Sequence, residues 1–129
     1  MCRHRAILYV KDLERMKRFY GEALGATPTN QDQTGVWASF ETDGARFALH
    51  TIPVEIAKAI EIKSPPTPRE QSPVKLVFEV KDVESHRARL EPLGAQMLRR
   101  TWQNPGEACD VVDPEGNIFQ LCSPTPSLP

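Results

Sequence analysis

The chain has 129 residues, 40% of them hydrophobic and 26% charged, with a net charge of −1, which is length and apolar content enough for one soluble domain with a real core. A charge so near zero gives no electrostatic footprint for nucleic acid or an anionic membrane, and no apolar run is long enough for a membrane helix. Three scattered cysteines argue against a disulfide framework and for a reducing cytoplasm. The first residues lead straight into a strand, so no signal peptide is expected. Residues 5 to 10 alternate, with Ala6, Leu8 and Val10 on one face and Arg5, Ile7 and Tyr9 on the other. Asp12 is a good N-cap, and Leu13, Met16, Phe19, Tyr20 and Ala23 recur at helical spacing until Gly25 stops the helix. Residues 26 to 34 are polar, contain a proline and carry little pattern. Val36 to Phe40 alternates as a strand, a turn at Asp43-Gly44 follows, and Arg46 to Thr51 returns as the next strand.

Residues 53 to 73 read as a connector. Val54 to Ile62 has apolar residues for about two helical turns. The stretch Ser64-Pro65-Pro66-Thr67-Pro68 reads as a semi-rigid spacer, because it suits neither a helix interior nor a central strand. Val74 to Val80 alternates as a strand, placing Lys75, Val77 and Glu79 on one face. Asp82 caps a second helix with Val83, His86, Leu90 and Leu93 as its stripe; Pro92 loosens its last turn and Gly94 ends it. His86 is expected to be a packed or half-buried histidine. Strands are expected over Gln96 to Trp102 and Ala108 to Val112, with a loop at Asn104-Pro105-Gly106 between them. Asp113-Pro114-Glu115-Gly116 fits a type I turn, with Asp, Pro and Gly first, second and fourth. The strand after it puts Phe119 and Leu121 on one face and Ile118, Gln120 and Cys122 on the other. Gln120 is thus one polar residue on an otherwise apolar face, as expected of a side chain aimed into a cavity. Cys109 and Cys122 are expected to be buried, inert thiols. The tail, residues 125–129, is expected to fray.

The two halves match. Gly44 aligns with Gly116, which pairs Phe47 with Phe119, Ala48 with Gln120 and Leu49 with Leu121. Val10-Lys11-Asp12-Leu13 matches Val80-Lys81-Asp82-Val83, and Leu24-Gly25-Ala26 matches Leu93-Gly94-Ala95. The offset is about 70 residues throughout. The expectation is an α+β single domain, residues 1–129, of two tandem βαβββ modules, residues 1–52 and 74–124. They would form a curved eight-stranded mixed sheet with helices outside, and the concave side would carry Arg5, Ala48, Lys75 and Gln120.

On these motifs, with Phe19-Tyr20 and the Asp113 turn, the chain resembles the vicinal oxygen chelate superfamily of glyoxalase I, bleomycin resistance proteins and extradiol dioxygenases. The resemblance spans nearly the whole chain and implies a fold more than a reaction. It also implies up to four metal-ligand positions, usually His, Gln or Glu. Here they hold Arg5, Ala48, Lys75 and Gln120, of which only the Gln120 amide can coordinate. A unit positive charge at about 6 Å repels a divalent ion by roughly 5 kcal/mol at an effective dielectric near 20. No metal and no other cofactor is therefore expected at the usual place.

The first functional expectation is a small-molecule binder, or a metal-free enzyme, for a small organic anion. Arg5 and Lys75 would face the anion, Tyr9, Trp37 and Trp102 would form an aromatic wall, and His50, Glu79 and Gln120 would complete the lining. Against this stands a solvated Arg5 and Lys75, or Lys75 paired with Glu79. The alternative is a metal-dependent lyase, isomerase or dioxygenase with a displaced site at His50, Cys122 and Gln120. A third is an interaction role with the cleft shut. The resemblance further implies a homodimer.

Overall fold

The computed structural model describes residues 2, 4–29, 34–43 and 45–124. By contacts the chain divides into two compact units, Met1–Glu61 and Ile62–Pro129. The fold is α+β: each unit packs a helix on one face of a small sheet.

In the first unit β1 (Ala6–Val10) is followed by α1 (Leu13–Leu24), β2 (Trp37–Thr42) and β3 (Ala45–Thr51). The strand order is β1-β3-β2, with β1 parallel and β2 antiparallel to β3. The Asp12 side chain accepts from the Arg15 amide at 3.1 Å, capping α1, and Gly25 ends it at φ 63°, where a side chain would be strained. All five residues of the helical stripe, Leu13, Met16, Phe19, Tyr20 and Ala23, are buried. They meet Val10, Ala38, Phe40, Phe47 and Leu49, and the Tyr20 and Phe47 rings lie 5.2 Å apart. The opposite face of this sheet carries Ile7, Tyr9, Trp37, Ser39, Ala48 and His50.

The connector helix α2 (Val54–Ala57) is one turn, not the expected two. Val54 and Ile56 are exposed, so no burial sustains it, and it unwinds through Ala59→Ile56 and Ile60→Ala57 i→i+3 bonds.

The second unit contains β4 (Leu76–Glu79), α3 (Val83–Leu90), β5 (Gln96–Leu98), β6 (Ala108–Val112) and β7 (Ile118–Cys122), in the strand order β4-β7-β6-β5. A 3-10 turn at Glu91–Leu93, with Pro92 inside it, closes α3, and Gly94 follows. His86 is half-buried, and its Nδ1 faces Arg89 at 2.9 Å. The Asp113 turn is present: the Gly116 amide donates to Asp113 O at 3.0 Å, and Asp113 Oδ1 accepts from the Glu115 and Asn117 amides at 2.8 and 3.0 Å. Gly116 takes φ 93°, and a Cβ there would lie 2.6 Å from the Thr67 carbonyl oxygen. Glycine is therefore what lets the connector cross this turn, where the Arg69 amide donates to Gly116 O at 2.9 Å.

The register repeats between units. Ile7 pairs with Ala48 as Val77 pairs with Gln120, and Tyr9 pairs with His50 as Glu79 pairs with Cys122. Seven strands form among the described residues, in sheets of three and four, rather than a single sheet of eight. The stretch 26–34 forms no strand among its described residues: Pro28 lacks a ladder donor, and Thr29 alone reaches β2, its amide donating to Ser39 O at 2.8 Å. The strand expected to run from Gln96 to Trp102 stops at Leu98, because Arg100 turns away to two carboxylates. Gly44 and the tail 125–129 lie outside the described residues. No helix among those described is long and apolar enough to cross a membrane.

Candidate functional site

The open face of the first sheet is a ladder of three rows set by register. Tyr9, His50 and Trp37 form one row, with the Tyr9 and His50 rings 5.4 Å apart. Ile7, Ala48 and Ser39 form the next. One step further, Arg46 pairs with Glu41, and Arg5, the residue just before β1, lines the same depression as both. Ile7, Tyr9 and Trp37 are 51%, 55% and 41% exposed, so the apolar part of the ladder is uncovered within this unit. At the charged end lies an open depression of about 670 Å³ lined by Cys2, His4, Arg5, Glu41, Thr42 and Arg46, among others. Arg46 Nε lies 3.1 Å from Glu41 Oε1. Arg5 has no ion pair or hydrogen bond among the described residues.

The second unit has a different arrangement. Asp110, in the middle of β6 and opposite Gln120, is fully buried. Its Oδ2 accepts from Lys75 Nζ at 2.9 Å and Arg100 Nε at 3.0 Å, and its Oδ1 from Gln103 Nε2 at 2.8 Å. Arg100 also grips Glu70 with both terminal nitrogens, at 2.9 and 2.8 Å. The Arg100 guanidinium stands 5.5 Å from the Trp102 ring centre. Burial alone would raise the Asp110 pKa, but the hydrogen bonds from Gln103, Lys75 and Arg100 outweigh it and hold the carboxyl below its ordinary range. The Arg100 hydrogen bond likewise lowers Glu70. Lys75 is thus paired, with Asp110 rather than Glu79.

Of the expected site residues, Tyr9, Trp37 and His50 share the first unit's open face, and Arg5 lies at its charged end. Lys75 and Gln120 flank Asp110 in the second unit, Glu79 pairs in register with Cys122, and Trp102 lies outside the sheet, 73% exposed. Asp110, Arg100 and Gln103 were not singled out by the sequence. The signal existed: Asp110 is a lone charge inside Ala-Cys-Asp-Val-Val, the same oddity that marks Gln120.

The residues at the superfamily's ligand positions do not fit a divalent metal. Ala48 has no donor, the Lys75 ammonium is held by Asp110, and Arg5 is a guanidinium, which leaves only the Gln120 amide. Among the described residues no group of three or more His, Cys, Asp or Glu side chains is placed to hold one. For the alternative set, His50 Nδ1 lies 2.8 Å from Thr51 O, and burial pushes the Cys122 thiol up, away from the thiolate that coordinates metals. Burial raises Cys109 in the same way.

A family model described as a glyoxalase-like domain matches residues 5–122. The chain belongs to this glyoxalase-like family. Among curated proteins no sequence matches at a significant level. Solved structures share the glyoxalase-like fold. The fosfomycin resistance protein FosX from Listeria monocytogenes, complexed with Mn(II) and a dihydroxypropylphosphonic acid, is 17% identical with a TM-score of 0.68 over 95% of this chain and 89% of that one. A glyoxalase-related enzyme from Fulvimarina pelagi is 23% identical with a TM-score of 0.64, over 95% and 88% of the two chains. A glyoxalase/bleomycin resistance protein from Albidiferax ferrireducens is 18% identical with a TM-score of 0.64, over 92% and 95%. The vicinal oxygen chelate resemblance read from the sequence is thereby established.

Proposed function

We propose that this glyoxalase-like chain binds a small amphipathic organic anion along the open face of its first unit, with no catalytic metal at the superfamily's ligand positions. The observation that carries this reading is the ladder: a cationic row at Arg5 and Arg46, an apolar row at Ile7 and Ala48, and an aromatic row at Tyr9 and Trp37. Alternate residues on a strand are about 6.8 Å apart, so the rows suit a ligand about 13 Å long with its charge at one end. Arg5 takes the anion because it has no partner among the described residues; Lys75 is secondary because Asp110 neutralises it. The small alanine at position 48 leaves room above the sheet for the ligand body. A phosphonate in the Listeria neighbour is a parallel, though that protein also holds Mn(II). A homodimer belongs to the same reading and is checked by sedimentation.

The test is calorimetric titration of chelator-treated protein with aryl and alkyl carboxylates and phosphonates. Saturable binding of aryl anions is expected, weakened about tenfold or more in Arg5→Ala, the loss of one charged hydrogen-bond donor. Trp37→Ala should weaken aryl ligands more than alkyl ones. Binding that persists unchanged in Arg5→Ala, or that needs added Mn(II), Fe(II) or Zn(II), overturns the reading. A metal requirement would favour the displaced site at His50, Gln120 and Cys122.

A further inference from the structure

We infer that the charged end of the ladder is a subsite for a tetrahedral oxyanion, a phosphonate or phosphate monoester, in preference to a carboxylate. This deepens the reading above and rests on it. Two guanidinium groups line the same depression of about 670 Å³, a size within the range of small-molecule sites. Arg5 offers its whole fork. Arg46 spends only its Nε on Glu41, at 3.1 Å, and its two terminal amino groups have no partner among the described residues.

A carboxylate has one charge and two coplanar oxygens, both of which a single arginine fork already engages, so a second guanidinium can share those oxygens but finds no further oxygen or charge. A doubly ionised phosphonate has three oxygens and two charges, so it can accept from both forks at once. His4 and Thr42 line the same space. Glu41 opposes the ligand and acts as a brake on affinity. Its pair with Arg46 is open to solvent, at 53% and 54% exposure, and such pairs are weak enough for a ligand to draw Arg46 away.

The experiment compares phenylphosphonate with phenylacetate, which share an aryl body, at pH 8 by calorimetry, with inorganic phosphate as a competitor. Wild-type protein should prefer phenylphosphonate about tenfold, since charged hydrogen bonds from a second guanidinium are added. Arg46→Ala should abolish that preference and leave phenylacetate nearly unchanged. Glu41→Gln should tighten phenylphosphonate several-fold, a gain that a misfolded variant cannot mimic. Equal affinities, or a preference that survives Arg46→Ala, overturns the inference. If Arg5→Ala loses both ligands while Arg46→Ala loses neither, anion binding stands and the head-group assignment falls. If neither aryl anion binds the wild-type protein, both fall.

Discussion

Asp110 has the most demanding environment of any single residue described. It is fully buried, yet three side chains donate to its carboxylate. Removing it leaves Lys75 without its counter-charge and Arg100 with Glu70 alone. Lys75 is 40% exposed and can turn to water, so Asp110→Ala is expected to cost about 3 kcal/mol, the lower end for a broken buried pair. Asp110→Asn keeps an acceptor and should cost about 1–2 kcal/mol. Urea denaturation at neutral pH measures both. The pH dependence has a definite sign. The folded-state pKa of Asp110 is depressed, so its stabilisation is full above the unfolded carboxylate range, about 3.9, and is lost as the pH falls through the lowered value. The gap between wild type and Asp110→Asn should therefore narrow below about pH 4. A gap that widens on acidification would contradict the ion network. The sequence marked Gln120 as a polar intruder on an apolar strand but not Asp110, its partner across the ladder. The difference lies in the partners: Lys75, Gln103 and Arg100 sit 35, 7 and 10 residues from Asp110, and no local pattern joins them.

At the scale of elements, two glycines separate backbone conformation from packing. Gly25 and Gly116 both have positive φ, 63° and 93°. Nothing lies within 4 Å of a Cβ placed at Gly25, whereas one at Gly116 meets the Thr67 carbonyl oxygen at 2.6 Å. Gly25→Ala should then carry only the left-handed backbone penalty, about 1 kcal/mol. Gly116→Ala carries that penalty and must also push the connector off the turn, for about 3 kcal/mol in all. Limited proteolysis should nick the connector faster in Gly116→Ala and not in Gly25→Ala; equal nicking would mean that the connector is not seated on this turn. Elements with strong periodicity were legible. The α1 stripe, its two caps and the Asp113 turn follow from residue types whose preferences are local. The ends of elements were less so. The connector helix has apolar residues at helical spacing but no surface to bury them, and Arg100 leaves the strand pattern for carboxylates on other segments.

At the scale of the whole molecule, the repeat decides what chemistry the family's positions retain. Ile7 pairs with Ala48 and Val77 with Gln120 in the same register, so the four positions inferred from the repeat are structurally equivalent, two in each unit. The repeat itself was legible because each half carries the same cap, stop and turn signals. The ion network is specific to one half: Asp110 in the second unit corresponds by register to Ser39 in the first, each facing its unit's Gln120 or Ala48. A catalytic zinc-type site takes about three protein donors, and these four positions offer one neutral amide. Protein purified without chelator should therefore carry Mn, Fe, Ni and Zn at well below one equivalent per chain by elemental analysis. EDTA should leave both its melting temperature and its affinity for phenylphosphonate unchanged. The measurement is sensitive, because a metal present at a hundred times its dissociation constant stabilises the folded state by about 2.7 kcal/mol. Stoichiometric metal, with a melting temperature that falls on EDTA treatment, would mean that donors outside these four positions assemble a centre. Anion binding would then have to be reconsidered as metal coordination.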